Sequence, residues 1–322
     1  GKKIKAVAAV TKQGFTYVFD RITGEPVWPI NEQEVNSVST VPGEKLSRTQ
    51  PFPTKPPSFE RQGIAKDDLI DFTPELRKEA LEIAEKYVLG PLFTPNIVTT
   101  AEKDGLLQLP GTIGGANWPG ASVDPDTGML YVQSQTNPSV IGLIKPDPNR
   151  SNLNYMLNGG LKGDGNDDLK SLAMGPRGLP LLKPPYRRIT ALDLNKGEIA
   201  WQIPFGDGPR NHPAIQHLNL GPLGSRFPSE VFAEGGILVT RTLIITILAD
   251  VDELGDRMAR GSWLVALDKA TGDEIGRIKV DRHLHSSPMT AMHEGRQYIL
   301  IAGGGRGEPA ELLAFGLPKT TR

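Results

Sequence analysis

The residues able to do chemistry in this chain sit in a few short, glycine-flanked runs. Lys12 lies in the turn of TKQG, residues 11–14. Asn117 and Trp118 end the run GGANW, whose glycines let backbone approach a planar ligand. Gly235 and Gly236 form a further pair, preceded by Glu234. On spacing alone Lys12 reads as a solvated turn lysine, Trp118 as a core indole with its N–H satisfied, and Glu234 as an exposed loop acid. Of the five histidines, His212 and His217 lie in RNHPAIQHL, while His283 and His285 alternate in DRHLHSS and would share one side of a strand. Alternating histidines can bind metal, but no third ligand is evident, so satisfied histidines are expected. GGGRG (303–307) and GGAN (114–117) do not open a helix after a strand, so a phosphate-loop or dinucleotide-binding reading is poor. No Gly-x-Ser-x-Gly elbow occurs, which argues against an α/β-hydrolase. Cysteine is absent, which excludes disulfides, Cys-based zinc sites, c-type haem attachment and cysteine catalysis on this chain.

The elements that must position these residues announce themselves by repetition. VFDRITGEPVW (18–28) and ALDLNKGEIAW (191–201) share one pattern, and ALDKATGDEIG (266–276) repeats it with Gly276 in place of the tryptophan. Each has an apolar strand end, an Asp, a turn closed by Gly and a second strand. The Gly suits a left-handed turn position, and the Asp can accept from backbone N–H groups two residues on. A repeated strand–turn–strand unit implies stacked sheets, and the usual stack is a β-propeller. Gly 36 and Pro 28 make about a fifth of the 322 residues, well above the typical ~12%, so turns are many and long helices few. Strand patterns at 4–10, 15–19, 106–109, 129–134, 188–192, 199–203, 236–240, 242–248, 263–267, 274–280, 289–293, 298–302 and 312–315 suffice for about four four-stranded blades in a single segment, 1–322. Two insertions interrupt them. Residues 31–95 form a Pro-rich excursion, with PFPTKPPSF (51–59) extended on the surface and one helix. Thr73 is that helix's N-cap and Pro74 its first residue, and its apolar positions run to Tyr87–Val88. Residues 137–185, rich in Asn, Gly and Pro, read as a long ordered loop.

The net charge of −1 gives no indication of nucleic acid or a membrane surface as partner. No window approaches the ~18 apolar residues of a membrane-spanning helix. No signal peptide is evident, and the opening GKKIKA runs straight into a strand, as if the chain began inside a larger fold.

Residues 111–134, GTIGGANWPGASVDPDTGMLYVQS, make the reading specific. They resemble the pyrroloquinoline quinone (PQQ)-dependent alcohol and glucose dehydrogenases, the quinoproteins. So do TKQGFTYVFDRITGEPVWP (11–29), GPLFTP (90–95), GDGPRNHPA (206–214) and SSPMTAMHEGRQYILIAGGG (286–305). The resemblance spans the chain and is closest to the glucose-dehydrogenase-like branch. It implies an all-β, eight-bladed propeller holding PQQ and calcium near its axis, in the periplasm. The Trp-ended turns then correspond to tryptophan-docking motifs, with Trp28 and Trp201 buried between blades and a weaker contact at Gly276.

In the mechanism so implied, a carboxylate removes a hydroxyl proton from a sugar or alcohol and the substrate carbon delivers hydride to PQQ. Calcium and Lys12 polarise the quinone, and electrons leave to a membrane quinone or another acceptor. Lys12 is the catalytic cation by this resemblance, and Lys12, Asn117, Trp118, Gly235 and Gly236 are the cofactor-binding residues. Glu234 stands where some relatives carry a tryptophan floor beneath PQQ. Family chains are about twice as long, and this one aligns with their C-terminal half. Their catalytic Asp, calcium ligands and vicinal disulfide precede the TKQG signature. The implied partner is an N-terminal half of the propeller or a second copy, since an open arc exposes sheet edges and apolar faces. The alternatives are a non-catalytic propeller scaffold and an inactive fragment of the enzyme.

Overall fold

The Asp–Gly turn is built the same way wherever the motif occurs. A computed structural model describes residues 3–158, 175–225, 236–250, 261–284, 286–305 and 307–317. In it Asp20, Asp193 and Asp268 each accept through Oδ1 from the backbone N–H two residues on, at 2.9, 2.9 and 2.7 Å. Each turn closes with a glycine at positive φ, +78° at Gly24, +70° at Gly197 and +82° at Gly272, whose N–H returns to the Asp carbonyl. A fourth copy, VDPDTGML (123–130), has the same geometry: Asp124 accepts from Asp126 N at 3.1 Å, and Gly128 sits at φ +75°. The carboxylate fixes the first half of the turn, and the left-handed glycine lets the second strand fold straight back.

The described chain forms two compact units, residues 1–117, 134–186 and 213–218, and residues 118–133, 187–212 and 219–322. The second unit stacks antiparallel sheets. One sheet runs, in spatial order, Glu198–Pro204, Arg187–Asp193, Met129–Gln135, Ala121–Asp124. The next is a four-stranded meander, Leu238–Val239, Leu243–Ala249, Ser262–Asp268, Glu274–Val280. The last has three strands, Met289–His293, Arg296–Gly305 and Glu308–Gly316. Tyr131, Ile189, Ala191, Ile244, Leu248, Val265 and Leu267 form a buried cluster between the first two sheets. Ile247, Leu284 and Ile301, with Val280, Leu313 and Phe315, join the second sheet to the third. Strands inside a sheet are covered on both faces and read as apolar runs, whereas outermost strands such as Glu274–Val280 stay exposed.

The second and third motif copies share a β-bulge, at Ala191/Leu192 and at Ala266/Leu267. This puts Trp201 opposite Ala191 and Gly276 opposite Ala266. Trp201 packs on Tyr131, ring centroids 5.9 Å apart, and on Gly272 of the neighbouring sheet's turn. A Cβ at Gly272 would lie 3.0 Å from the indole. Trp201 and Trp28 are both half-buried rather than buried: Trp201 sits on the outermost strand of its sheet, and Trp28 lies in a bend outside any strand.

In the first unit the hairpin Ala6–Val10/Thr16–Asp20 stands as a two-stranded sheet. A second sheet is ordered Met156–Leu157, Ser139–Ile144, Gly105–Gln108, Tyr87–Val88, with Ile97–Val98 also pairing Ser139–Ile144. Residues 137–185 are therefore no plain loop: SVIGLI supplies a central strand. The 31–95 excursion likewise holds a hairpin, Ile30–Glu34/Thr49–Pro53. Its 51–59 stretch leaves the surface at Phe59, which is fully buried. The helix is Pro74–Ala84, with Thr73 Oγ1 accepting from Leu76 N at 3.2 Å. It stops short of Tyr87–Val88 because these residues pair in parallel with Gly105 and Leu106. No helix among the described residues is long and apolar enough to cross a membrane.

Two expectations follow. Asp124, 3% exposed, accepts at Oδ2 from Lys269 Nζ and from Thr127 Oγ1, each at 2.7 Å. These bonds, the lysine's first, hold its carboxyl at about 2 against the ordinary 3.8. A depressed carboxylate stabilises the fold above its unfolded value and loses that contribution as pH falls through the folded one. Asp124→Asn lowers the melting temperature at pH 7, on the order of 5 °C, and thermal melts show the gap to the parent closing between about pH 4 and pH 2. Gly272→Ala forces a Cβ into the left-handed region and against Trp201, costing about 1–2 kcal/mol or more. Urea denaturation reads this, and an unchanged midpoint refutes the docking role of that turn.

Candidate functional site

The Lys12 turn is a compact hydrogen-bonded loop. Thr11 N donates to Phe15 O at 2.9 Å, Gly14 N to Thr11 O at 3.0 Å, and Phe15 N to Thr11 Oγ1 at 3.2 Å. Gly14 takes φ +87°, and Phe15 beyond it is buried. Residues 12 and 13 are left at the tip, exposed. Lys12 is held at both ends. Its carbonyl accepts from Gly115 N at 2.8 Å, and its Nζ donates to Thr112 O at 3.0 Å. Gly114, at φ +92°, leaves the space its side chain crosses: a Cβ there would sit 2.6 Å from Lys12 Cγ. Thr112 is fixed in turn by buried Ser139, whose Oγ accepts from Thr112 N at 3.1 Å.

The GTIGGAN run is therefore the seat of the lysine. Lys12 and Gln13 form one wall of a cleft of about 220 Å³, closed by Gly90–Thr94 and Leu106–Thr112. GPLFTP, singled out in the sequence, thus meets the Lys12 turn in that cleft. Phe93 there is held at φ +67° and stacks edge-on to Phe52 at 5.7 Å.

Beneath the turn lies a residue that no local motif marks. Glu60 is 4% exposed. Ser134 Oγ donates to its Oε2 at 2.7 Å, and Thr136 Oγ1 and Arg61 N donate to its Oε1 at 2.6 and 3.0 Å. Between those two hydroxyl residues, Gln135 N donates to Gly115 O at 2.9 Å. Gln135 Oε1 is buried with no hydrogen-bond partner among the described residues, an acceptor of the kind a bound ligand or water completes.

Asn117 is half-buried at the end of the same run in the first unit. Trp118 opens a segment of the second unit and is 90% exposed, so the expectation of a core indole is corrected. Gly236 also belongs to the second unit. Its N–H donates to Ser287 Oγ at 3.2 Å, and a Cβ there would lie 2.2 Å from that oxygen. Its carbonyl accepts from buried Thr246, which accepts from Gln133, which in turn accepts from the guanidinium of Arg187. Arg187 is 1% exposed, with its guanidinium 4.9 Å from the centre of the Phe205 ring. Nothing in the sequence marks this buried polar chain, because an arginine at the start of a strand is ordinarily solvated. Glu234, Gly235 and His285 lie outside the described residues. His283 precedes the bridge Leu284↔Gly303 rather than lying in a longer strand. Among the described residues no three His, Asp or Glu side chains gather in a way that could hold a metal ion.

An exposed cation locked over a glycine cradle fits one polar edge of a flat, electron-accepting cofactor such as PQQ. Calcium has no comparable donor set among the described residues.

Residues 1–299 match the family model for the β-propeller domain of PQQ glucose/ethanol/alcohol dehydrogenases. Among curated relatives, the quinate/shikimate dehydrogenase (quinone) of Acinetobacter baylyi is 28% identical over 98% of this chain and 38% of its own length. The glycerol dehydrogenase large subunit of Gluconobacter oxydans is 27% identical over 95% and 41%. The quinoprotein glucose dehydrogenase of Escherichia coli is 25% identical over 99% and 39%. The chain thus spans about 40% of the length of these relatives. The solved quinohemoprotein alcohol dehydrogenase of Comamonas testosteroni shares the fold, with a TM-score of 0.52 at 19% identity over 100% of this chain and 38% of that one. Repeated Asp–Gly turns, stacked antiparallel sheets and the family match over most of its length agree: this chain belongs to the PQQ-dependent glucose/ethanol/alcohol dehydrogenase β-propeller family.

Proposed function

We propose that this chain is the C-terminal part of a PQQ-dependent dehydrogenase that oxidises a hydroxyl group of a sugar or alcohol. The observation that carries the reading is Lys12, an exposed cation whose backbone and ammonium are both fixed by the glycine run 111–115. When bound, PQQ supplies the two-electron acceptor that no side chain offers. Lys12 places positive charge where negative charge develops, and its fixed position means little reorganisation is needed at the moment of reaction. Asn117 adds an amide able to donate or accept at the cofactor's rim. Trp118 offers a solvent-facing aromatic plane, and Gly235 and Gly236 are assigned to cofactor contact by their likeness to the family's glycine pair. The cleft walled by Lys12 and Gln13 is small and partly polar, the size of a single sugar ring or a short polyol. The relatives' names, which include quinate, glycerol and glucose, point the same way.

The proton-abstracting carboxylate and the calcium ligands are assigned to the part of the protein outside this segment. The same holds for closure of the ring. The hairpin Ala6–Val10/Thr16–Asp20 has two strands and the last sheet three, where the sheet built from residues 121–135 and 187–204 and the sheet built from 238–280 have four each. Missing propeller strands, or a second copy, would complete both. The site would face the periplasm, and electrons would leave to a membrane quinone or another protein.

In the full-length protein, Lys12→Ala lowers kcat about a hundredfold or more, since loss of one charge-stabilising donor costs about 2.7–4 kcal/mol. The melting temperature moves little, because Lys12 is exposed. Dye-linked turnover and a thermal melt check both. Reconstitution with PQQ and calcium, alone and with the missing part, tests the whole reading over glucose, other sugars, polyols and simple alcohols. Activity is expected only in the completed protein. Turnover by this chain alone overturns the assignment of base and metal to the missing part. No turnover and no retained PQQ absorbance in the completed protein would instead establish a non-catalytic scaffold.

A further inference from the structure

We infer that Glu60 is a positioning residue for Lys12, holding the turn and the glycine run in register from below. The inference rests on the reading of Lys12 as the cofactor-facing cation. Glu60 touches both the Lys12 turn and the glycine that bonds the lysine carbonyl. A Cβ at Gly14, in the Lys12 turn, would meet Glu60 Cβ at 3.1 Å, and one at Gly115 would meet Glu60 Cγ at 2.9 Å. Both glycines therefore rest directly on the glutamate side chain, which acts as their common floor. Its neighbours clamp the same turn: Ser58 Oγ donates to Gly14 O and Phe59 N donates to the same carbonyl, each at 3.0 Å.

The carboxylate does the rest. Its two oxygens draw in the hydroxyls of Ser134 and Thr136, fixing the backbone between them. Gln135 N then holds Gly115 O, and Gly115 N holds Lys12 O. The path from carboxylate to lysine runs through three hydrogen bonds in series, each of them directional. A buried carboxylate in a protein interior is costly unless its acceptors are filled, so it is a poor choice for mere packing. Its value here is geometric, because both oxygens demand donors at fixed places and two of those donors flank Gln135, whose N–H bonds the glycine run. A glutamine keeps the volume but turns one acceptor into a donor, which reverses the bond to Ser134 or Thr136.

The test uses the full-length protein, with and without PQQ and calcium. In the protein without PQQ, Glu60→Gln raises hydrogen exchange at Gly115, read on the peptide 111–117, by about tenfold. With PQQ bound, kcat falls about tenfold or more while KM and PQQ content stay within about twofold, as a small misplacement of a charge predicts. In the Lys12→Ala background the same substitution changes kcat by less than about twofold, because the two residues act as one unit. Thr136→Val, which removes one donor to Glu60 and that hydroxyl's contact with Pro185 O but leaves the floor in place, moves all three readouts in the same direction to a smaller degree, and it carries the test should Glu60→Gln not fold. An equal loss of kcat in both backgrounds, or unchanged exchange at Gly115, overturns the inference while Lys12→Ala alone remains impaired. Full activity of Lys12→Ala overturns the cofactor reading, and the role of Glu60 with it.

Discussion

The bond from an aspartate carboxylate to the backbone N–H two residues on is the interaction from which the rest of this molecule follows. It occurs at Asp20, Asp124, Asp193 and Asp268, each time with a glycine of positive φ four residues later. A turn so fixed delivers the returning strand at a set register, and the bulges after Ala191 and Ala266 show the same displacement in two copies. Identical hairpins twist alike, and sheets that twist alike can stack in series with apolar side chains between them. Asp124 and Lys269 extend the scheme: the carboxylate of one turn is bonded by the lysine of another, so neighbouring turns are tied as well as repeated.

The first unit uses a different kind of order. There the chain leaves the hairpin pattern for a long excursion and comes back to support the loop it left. Phe59 and Glu60 lie under the turn of residues 11–15, and Leu69, Ile70 and Leu76 join Leu179, Leu181 and Leu182 in a core of their own. Ile70 N donates to Leu181 O at 3.0 Å and Lys183 N to Asp68 O at 2.8 Å, so the excursion is stitched to the segment near residue 180 rather than trailing over the surface. An insertion of this kind can vary in length without disturbing the stacked sheets, while still determining the shape of the cleft beside Lys12.

The turns were legible in the sequence because their chemistry is local: an Asp and a Gly at fixed spacing need no partner from elsewhere. The copy at residues 123–130 escaped notice because it lacks the final tryptophan, and the tryptophan is the conspicuous letter while the Asp–Gly pair is the working one. Strands with β-branched runs, such as LIITILA and SWLVALD, were legible for the same local reason. SVIGLI was hidden by its setting of Asn and Pro, although a six-residue apolar run between prolines is a strand signal. The end of the helix was misplaced because Tyr87 and Val88 suit either state, and pairing with Gly105 and Leu106 decides. At the site, the lysine and its glycines were legible, whereas Glu60 and the Arg187–Gln133–Thr246 chain were not. Glutamate and arginine read as surface residues until their partners, tens of residues away in sequence, are brought beside them.

Trp118 carries a consequence of another kind. Its indole is 90% exposed, while Trp28, Trp201 and Trp263 are half-buried. A solvated indole emits at longer wavelength and is reached by soluble quenchers, and its emission moves to the blue when a surface covers it. The chain therefore carries a built-in optical reporter at the end of the glycine run that seats Lys12. Iodide or acrylamide would dim that single component selectively, and the emission would register anything that settles over this residue before any turnover is measured.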